Sequence, residues 1–356
     1  MTINNQSYLG PGYDVKGNEM RYRDAFNNTL RAELEYDKNV LIIGEDISGG
    51  FDKKTKEPLD AWGGPFAATK GLVQDFGTER IMDAPISEAG FVGAAIGAAL
   101  TGLRPVVDLM YFDFTTVAFD QLLSNAAKSR YMFGGQTKVP LTLFARSGGG
   151  TGHAAQHSSA FYSILAHIPG LKVVTPTDPY SVKGLLSAAI RDDDPVFVVN
   201  DKKLINMTGF VPDEDYQIEL GKGRCLKEGS DITLVGMSYT TVVCQEAAEK
   251  LKEIGVDAEV IDLLSLSPLD EDIIIESVKK TNRIVIVDED NPKASIASEV
   301  AAIVSDKAFD YLDAPVKRVT APHTPVPYSK ELENEFMPDS DDVLQTVKNI
   351  LDIWFF

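Results

Sequence analysis

Cysteine, histidine and tryptophan are scarce in this chain of 356 residues, which has two, four and two of them. Cys225 and Cys244 lie far apart and form no CxxC pair or ligand cluster. That excludes a disulfide framework and a cysteine-based metal site, and points to a reduced, cytoplasmic chain with inert thiols. Basic residues are outnumbered, 34 against 53 acidic, and the net charge is −19. A balance so acidic argues against nucleic acid and anionic membrane as partners, and fits a soluble protein or one that docks on a basic partner. No apolar run reaches the roughly 18 residues that a membrane helix needs. MTINNQSYLGPGYDVKGNEM has no basic region followed by an apolar one. It reads as an arm or a strap on a neighbour and not as a signal peptide. The strand–GxGxxG–helix unit of nicotinamide dinucleotide binding is also missing.

What is present is a βα rhythm. VLIIGED (Val40–Asp46), RPVVDLM (Arg104–Met110), VPLTLFA (Val139–Ala145), LKVVTP (Leu171–Pro176) and PVFVVN (Pro195–Asn200) read as buried strands. Between them Met20–Glu35, Ser87–Leu100, Thr115–Tyr131 and Pro179–Arg191 carry helical patterns. Continuous apolar strands separated by helices mean a parallel sheet covered on both faces. The pattern fades from Asp201 to Gly223, where Pro, Gly and acidic residues suggest a surface linker. A second strand–helix series follows, from DITLVGMS to PVKRVTAP. The expected fold class is α/β with two doubly wound domains: an arm over 1–19, a first domain over 20–202, a linker over 203–223 and a second domain over 224–356. Ligands in open parallel sheets sit beyond the carboxyl ends of the strands. Glu45–Asp46 and Asp288–Glu289–Asp290 occupy such ends, where solvated loop carboxylates are also common.

Three stretches carry chemistry. In PISEAGFVGAAIGAALTG, Glu88 precedes a helix whose Gly90, Gly93 and Gly97, with Ala94, Ala95, Ala98 and Ala99, leave a nearly bare surface. Phosphate binding at such a helix start is disfavoured, because the spacing is not GxGxxG and no P-loop lysine follows. A bare face lets another helix or subunit approach closely. Glu88 would then lie in a poorly hydrated seam, where a carboxylate needs a partner; a helix-start glutamate favoured by the macrodipole is the plainer alternative. In FARSGGGTGHAAQHSSAFY a strand ends in a glycine loop that holds His153 and His157, half of the chain's histidines. A loop histidine is a natural proton carrier. The pair is not HExxH and has no third ligand nearby in sequence, so a metal site is disfavoured and a structural role stays open. In DLMYFDFTTVAFDQL, Tyr111, Phe112 and Phe114 cluster at a strand end, either as core or as a flat face for a heteroaromatic ring.

Taken together these stretches resemble the β chains of thiamine-diphosphate-dependent 2-oxo-acid and acetoin dehydrogenases, which have a transketolase-like fold. The similarity runs from about Met20 to the C-terminus, through GEDISGG, KGLVQDFG, PISEAGFVGAAIGAALTGLRPVVDLM, RYMFGG, AAQHS, PGLKVVTPTDPYSVKGLL, RDDDPVF and LSLSPLDEDII. NMTG, TNRIVIVDEDNPKASIA and LDAPVKRVTAPHTPVPYS are most similar to the acetoin branch. The resemblance implies that residues 20–202 bind the cofactor's pyrimidine, with Glu88 on the ring nitrogen, Phe114 stacked on the ring and Ile86 beside it. A carboxylic acid shared with that nitrogen suits a dry seam, where desolvation favours the neutral form. His157 would stand at the mouth of the site and handle protons or the incoming lipoyl group, while His153 has no assigned role.

The resemblance further implies a potassium ion at Leu141, Ala189, Ile190, Asp192 and Asp194. The residues alone show only a helix end, SAAIRDDDP, whose carbonyls welcome a cation. The chain has no GDG motif. Magnesium and the diphosphate would therefore be held by an α chain, in an α₂β₂ assembly that docks on a lipoyl-bearing acyltransferase core. The implied reaction cleaves acetoin to acetaldehyde and passes a two-carbon unit to a lipoyl group. Oxidative decarboxylation of pyruvate or branched-chain 2-oxo acids is the alternative, and a non-catalytic scaffold subunit the rival from another class. One departure stands out: pyruvate-type and branched-chain members carry a glutamate where this chain has Asn200.

Overall fold

The computed structural model describes residues 2–3, 16–49 and 62–352. Most of the expected N-terminal arm lies outside the described residues. Its two ends form β1 (Thr2–Ile3) and β2 (Gly17–Arg21), which flank β9 (Thr208–Pro212) in a small sheet of three strands. β9 falls inside the stretch read as a linker. Its short TGFVP run has no clear alternation, so the strand arises from pairing with β2, from Gly17↔Pro212 to Arg21↔Thr208, and not from a local pattern.

The first large sheet has seven strands. Six run parallel in the order β7 (Lys172–Val174), β8 (Val196–Asp201), β6 (Thr142–Ser147), β5 (Arg104–Tyr111), β3 (Val40–Gly44) and β4 (Ile81–Asp83). The central members β5, β6 and β8 are buried on both faces because helices cover both. On one face α1 (Tyr22–Tyr36) packs on α6 (Pro179–Arg191), burying Phe26, Leu30, Leu185 and Leu186. α6 starts where its sequence says it should: Asp178 caps it, Ser181 completes a capping box and Pro179 opens the first turn. On the other face lie α3 (Glu88–Leu100) and the segment that ends in α4 (Ala127–Met132). The single helix expected over Thr115–Tyr131 is instead a 3₁₀ turn, Phe112–Thr116, a π-helical stretch, Gln121–Ala126, and then α4. Short helices α2 (Leu72–Phe76) and α5 (Ser163–Ala166) complete this half.

The second half is a sheet of five strands, β10 (Arg224–Lys227), β12 (Ala258–Asp262), β11 (Ile232–Gly236), β14 (Ile284–Asp288) and β15 (Lys317–Thr320), with only β10 antiparallel. It is wrapped by α7 (Tyr239–Glu253), α8 (Glu271–Thr281), α9 (Ile296–Lys307), α10 (Lys330–Phe336) and α11 (Ser340–Ile350). β13 (Ser265–Ser267) crosses over and pairs antiparallel with β7 of the first sheet. One apolar cluster also runs through both halves, joining Phe112 and Phe197 to Ile261, Ile286 and Val300.

A buried ion cluster ties the halves further. The Arg224 guanidinium lies 2.8 Å from both Asp178 and Asp262, whose side chains are fully buried. Thr177 and Thr241 donate to the other oxygen of Asp262, each at 3.0 Å. Removing the cation leaves two buried carboxylates without it, a change that costs about 3–5 kcal/mol where such pairs are broken. We expect Arg224→Met to lower the unfolding free energy by that order, seen as a lower denaturant midpoint, and an unchanged midpoint would show that the cluster contributes little.

Candidate functional site

The carboxyl ends of β3, β4, β5, β6 and β8 share one edge of the first sheet. Chain order reverses there, since β4 lies on one side of β3 and β5 on the other. This is where open parallel sheets place their ligands.

β5 aims the aromatic residues. The Asp108 carboxylate accepts from the Met110 amide at 2.8 Å, Met110 has φ +57°, and the pairing with β6 slips between Asp108 and Tyr111. Such a bulge re-aims the side chains after it. Phe112 turns inward and is fully buried against Phe161 and Phe197. Tyr111 turns the other way and becomes the hub of a ring cluster. Its centroid lies 4.4 Å from His157, 5.1 Å from Phe66, 5.6 Å from Phe114 and 5.7 Å from His153, all edge-on. Phe114 and His157, read from separate motifs, are 5.4 Å apart.

The histidine loop is held from beneath. Lys202, 2% exposed, donates to the His157 carbonyl and the Ser158 hydroxyl and lies 5.6 Å from the Tyr111 ring centroid. Burial pushes its ammonium pKa down, against the pull of Asp201 and Glu289. His153 bonds Thr151 through Nδ1 at 2.9 Å. Burial, then Lys202 and His157, push its pKa below the ordinary histidine value. A neutral imidazole in this position can accept a proton at neutral pH. Asp113 braces the far end by accepting from the Ser159 hydroxyl at 2.5 Å.

Glu88 is the first residue of α3 and is 7% exposed. Beside it, at the end of β3, stands Glu45, which sequence reading flagged only as a strand-end carboxylate. The Glu45 pKa is raised by burial, then by the charges of Glu88, Asp46 and Asp108. Its Oε1 has no hydrogen-bond partner among the described residues. Asp108, deeper in the same edge, is pushed up to about 6 by burial, against the opposing charge of Arg146. Three carboxyl groups thus share a poorly hydrated seam, and burial leads the upward shifts of two of them, Glu45 and Asp108. Ile86 is 86% exposed on the rim. The bare side of α3 is left open: Gly90, Ala94 and Gly97 are exposed, and a side chain added at Gly97 would meet nothing within 4 Å.

Other readings find their places. Asn200 is fully buried and accepts from the Tyr22 hydroxyl at 2.5 Å, so it belongs to the packing of α1 on β8. Leu141, Ala189, Ile190, Asp192 and Asp194 gather at the end of α6. The Arg104 guanidinium already donates to the Ile190 and Asp192 carbonyls at 3.2 and 2.9 Å. The Leu141 carbonyl accepts the Val196 amide at 2.9 Å, and the Asp194 carboxylate pairs with Arg130 at 2.6 Å. These contacts fit a neutralised helix end better than an ion cradle. Cys225 and Cys244 are free, and burial pushes both thiols up, Cys225 to about 11. Among the described residues no helix is long and apolar enough to cross a membrane.

Asp288, Glu289 and Asp290 are not solvated; all are at most 5% exposed. Asp288 accepts from the Tyr162 hydroxyl at 2.5 Å and from the Ala297 amide at 3.0 Å. Asp290 is pushed up to about 7 by burial and the charge of Asp288. Its folded pKa lies above its unfolded value, so the fold binds the extra proton and stability falls as pH rises from about 4 to 7. We expect Asp290→Asn to flatten that decline and to be more stable than the parent at pH 8; a parallel curve would rule out this titration.

With this geometry in view, comparison with known proteins places the chain. Residues 18–208 match the family of the transketolase pyrimidine binding domain, and residues 221–343 that of the transketolase C-terminal domain. The chain is 51% identical, over 92% of its length and 96% of the relative, to the acetoin:2,6-dichlorophenolindophenol oxidoreductase subunit beta of Bacillus subtilis (strain 168). It is 43% identical to the subunit of the same name from Cupriavidus necator, with the same coverage. It is 40% identical to the pyruvate dehydrogenase E1 component subunit beta of Rickettsia felis, over 93% of this chain and 98% of that one. A solved structure, a split gene transketolase forming an inactive beta4 tetramer, superposes with a TM-score of 0.71 at 22% identity, over 94% of this chain and 98% of the other, which bears on the fold alone. The fold and site thus define a two-domain, transketolase-like α/β protein. The chain belongs to the family of β subunits of the acetoin and 2-oxo-acid dehydrogenases.

Proposed function

We propose that this chain is the β subunit of an acetoin dehydrogenase and provides the pyrimidine-binding half of an active site completed by an α subunit. The observation that carries the reading is Glu88: a carboxyl group buried beside a second, underpaired one, at the head of a helix whose bare face is open. Thiamine diphosphate suits that seam, since an aminopyrimidine offers a basic ring nitrogen to a buried carboxyl and an apolar face to an aromatic side chain.

When bound, thiamine diphosphate would supply a carbon acid for bond-making at a carbonyl carbon. The chain's own residues prepare the reaction. Glu88 would hold the pyrimidine nitrogen by a hydrogen bond, in a seam shared with Glu45 and Asp108 from which water is largely excluded. Phe114 offers its ring to the pyrimidine, and Ile86 covers the rim once the partner is in place. His157, with His153 behind it, stands where protons enter and leave and where a lipoyl arm would arrive. Magnesium and the diphosphate fall to the α subunit, because this sequence has no GDG motif. Potassium at the α6 end would compete with Arg104 and is given no step. The acidic chain, with its net charge of −19, suits a basic docking domain on a lipoyl-bearing core in the cytoplasm.

A second reading, decarboxylation of pyruvate or a branched-chain 2-oxo acid, is favoured by 40% identity to the Rickettsia felis subunit and 39% to the 2-oxoisovalerate dehydrogenase subunit beta of Bacillus subtilis. Dye reduction by the chain co-expressed with its α partner, with acetoin, pyruvate and branched 2-oxo acids side by side, separates the two. Acetoin-dependent turnover is expected; turnover of a 2-oxo acid alone would replace the substrate, and none from an intact assembly would favour a scaffold.

Within that assembly Glu88→Gln should lower kcat by at least about a hundredfold, the scale of a lost proton-transfer group. Assembly should be unaffected. Full turnover in the variant would remove Glu88 from the mechanism.

A further inference from the structure

The C-terminal half contains a residue whose link to the proposed chemistry is made only by the fold. Glu333 lies on α10, is 2% exposed, and reaches across to the glycine loop that precedes His153. Its Oε1 accepts from the amides of Gly150, Thr151 and Gly152 at 2.7, 3.1 and 3.2 Å, and its Oε2 accepts from Gly152 at 2.9 Å. A second carboxyl group of the same half, Glu289, accepts from Gly149 at 2.5 Å. Four consecutive amides are thus held by two buried side chains from the opposite domain. The contact is fixed on both sides. Ser329 caps α10 by accepting from the Leu332 amide, and Phe336 and Met337 bury against Ala321 and Val326. On the loop side, Gly148 has φ +91°, and a side chain there would come within 2.3 Å of Asp201.

A glycine-rich loop has more conformational freedom to lose than any other backbone. Left alone it would not present histidines at a fixed place. Charge-assisted bonds from one carboxylate to adjacent amides are strong and directional. The tethered stretch leads straight to His153, whose ring meets Tyr111, and then to His157, whose carbonyl is held by Lys202.

We infer that Glu333 is a positioning residue for the proposed reaction: by clamping residues 150–152 it holds His153 and His157 against Tyr111, at the mouth of the site. It touches neither cofactor nor substrate. This role rests on the proposed function, while the clamp itself can be tested without it.

The test compares the parent, Glu333→Gln and Glu333→Asp as full chains assembled with the α partner. Amide exchange across residues 146–160 is read without substrate. Turnover, KM and thermal midpoint are then measured with acetoin and with pyruvate. Glu333→Gln should speed exchange of the loop amides, keep the assembly folded, and lower kcat by about ten- to a hundredfold with KM changed far less, as expected when reacting groups are misplaced by about an ångström. Glu333→Asp, which keeps the charge, should recover part of both readouts. Unchanged exchange in Glu333→Gln overturns the inference, and does so even if the parent turns over neither substrate. Faster exchange with kcat unaltered also overturns it, by reducing the contact to a stability role. Loss of kcat in proportion to loss of folded assembly counts against it in the same way.

Discussion

Burying carboxyl groups side by side is the constraint on which the rest of this structure depends. Glu45 and Glu88 share a seam with Asp108, and burial leads the causes that raise the pKa of both Glu45 and Asp108. A charged carboxylate in such a place costs several kcal/mol unless it is paired or protonated. The fold tolerates the cost because strong elements surround the seam: a parallel sheet covered on both faces, a bulge at Met110 that commits β5, and α3 packed through Phe91, Val92 and Ile96. What is costly in the chain alone becomes useful to a ligand with a basic nitrogen and a flat apolar face.

The same logic recurs at the other end of the site. Asp201 and Glu289 are buried side by side, and burial, then the charge of Asp201, raises the Glu289 pKa well above the carboxylate range. Together with the Arg224 cluster and β13, these groups make the two halves one structure. A histidine loop that belongs to the first domain by sequence is held by the second through hydrogen bonds.

Much of the fold was legible because both large sheets are mainly parallel and most of their strands are largely apolar runs. Glu88, Phe114 and His157 stood out for local reasons: a carboxylate before a bare helix, an aromatic at a strand end, a histidine in a glycine loop. Glu333 could not be found that way, because its partners lie 181 to 183 residues earlier in the chain. Lys202 reads as an ordinary polar residue at the edge of a fading strand until β6 and β8 are paired. Asp288–Asp290 could be read either as a strand-end site or as solvated loop carboxylates, because burial by another domain leaves no periodic trace. β9 was missed for a related reason, since it forms by pairing with β2 and not from local propensity.

The central claim is that this chain builds half of a cofactor site and completes it only with a partner. Calorimetric titration of thiamine diphosphate and magnesium into this chain, into the α partner, and into the co-expressed assembly tests it most directly. Binding at one cofactor per α–β pair in the assembly, with none to this chain alone, is the predicted result. Tight stoichiometric binding to the isolated chain would contradict it.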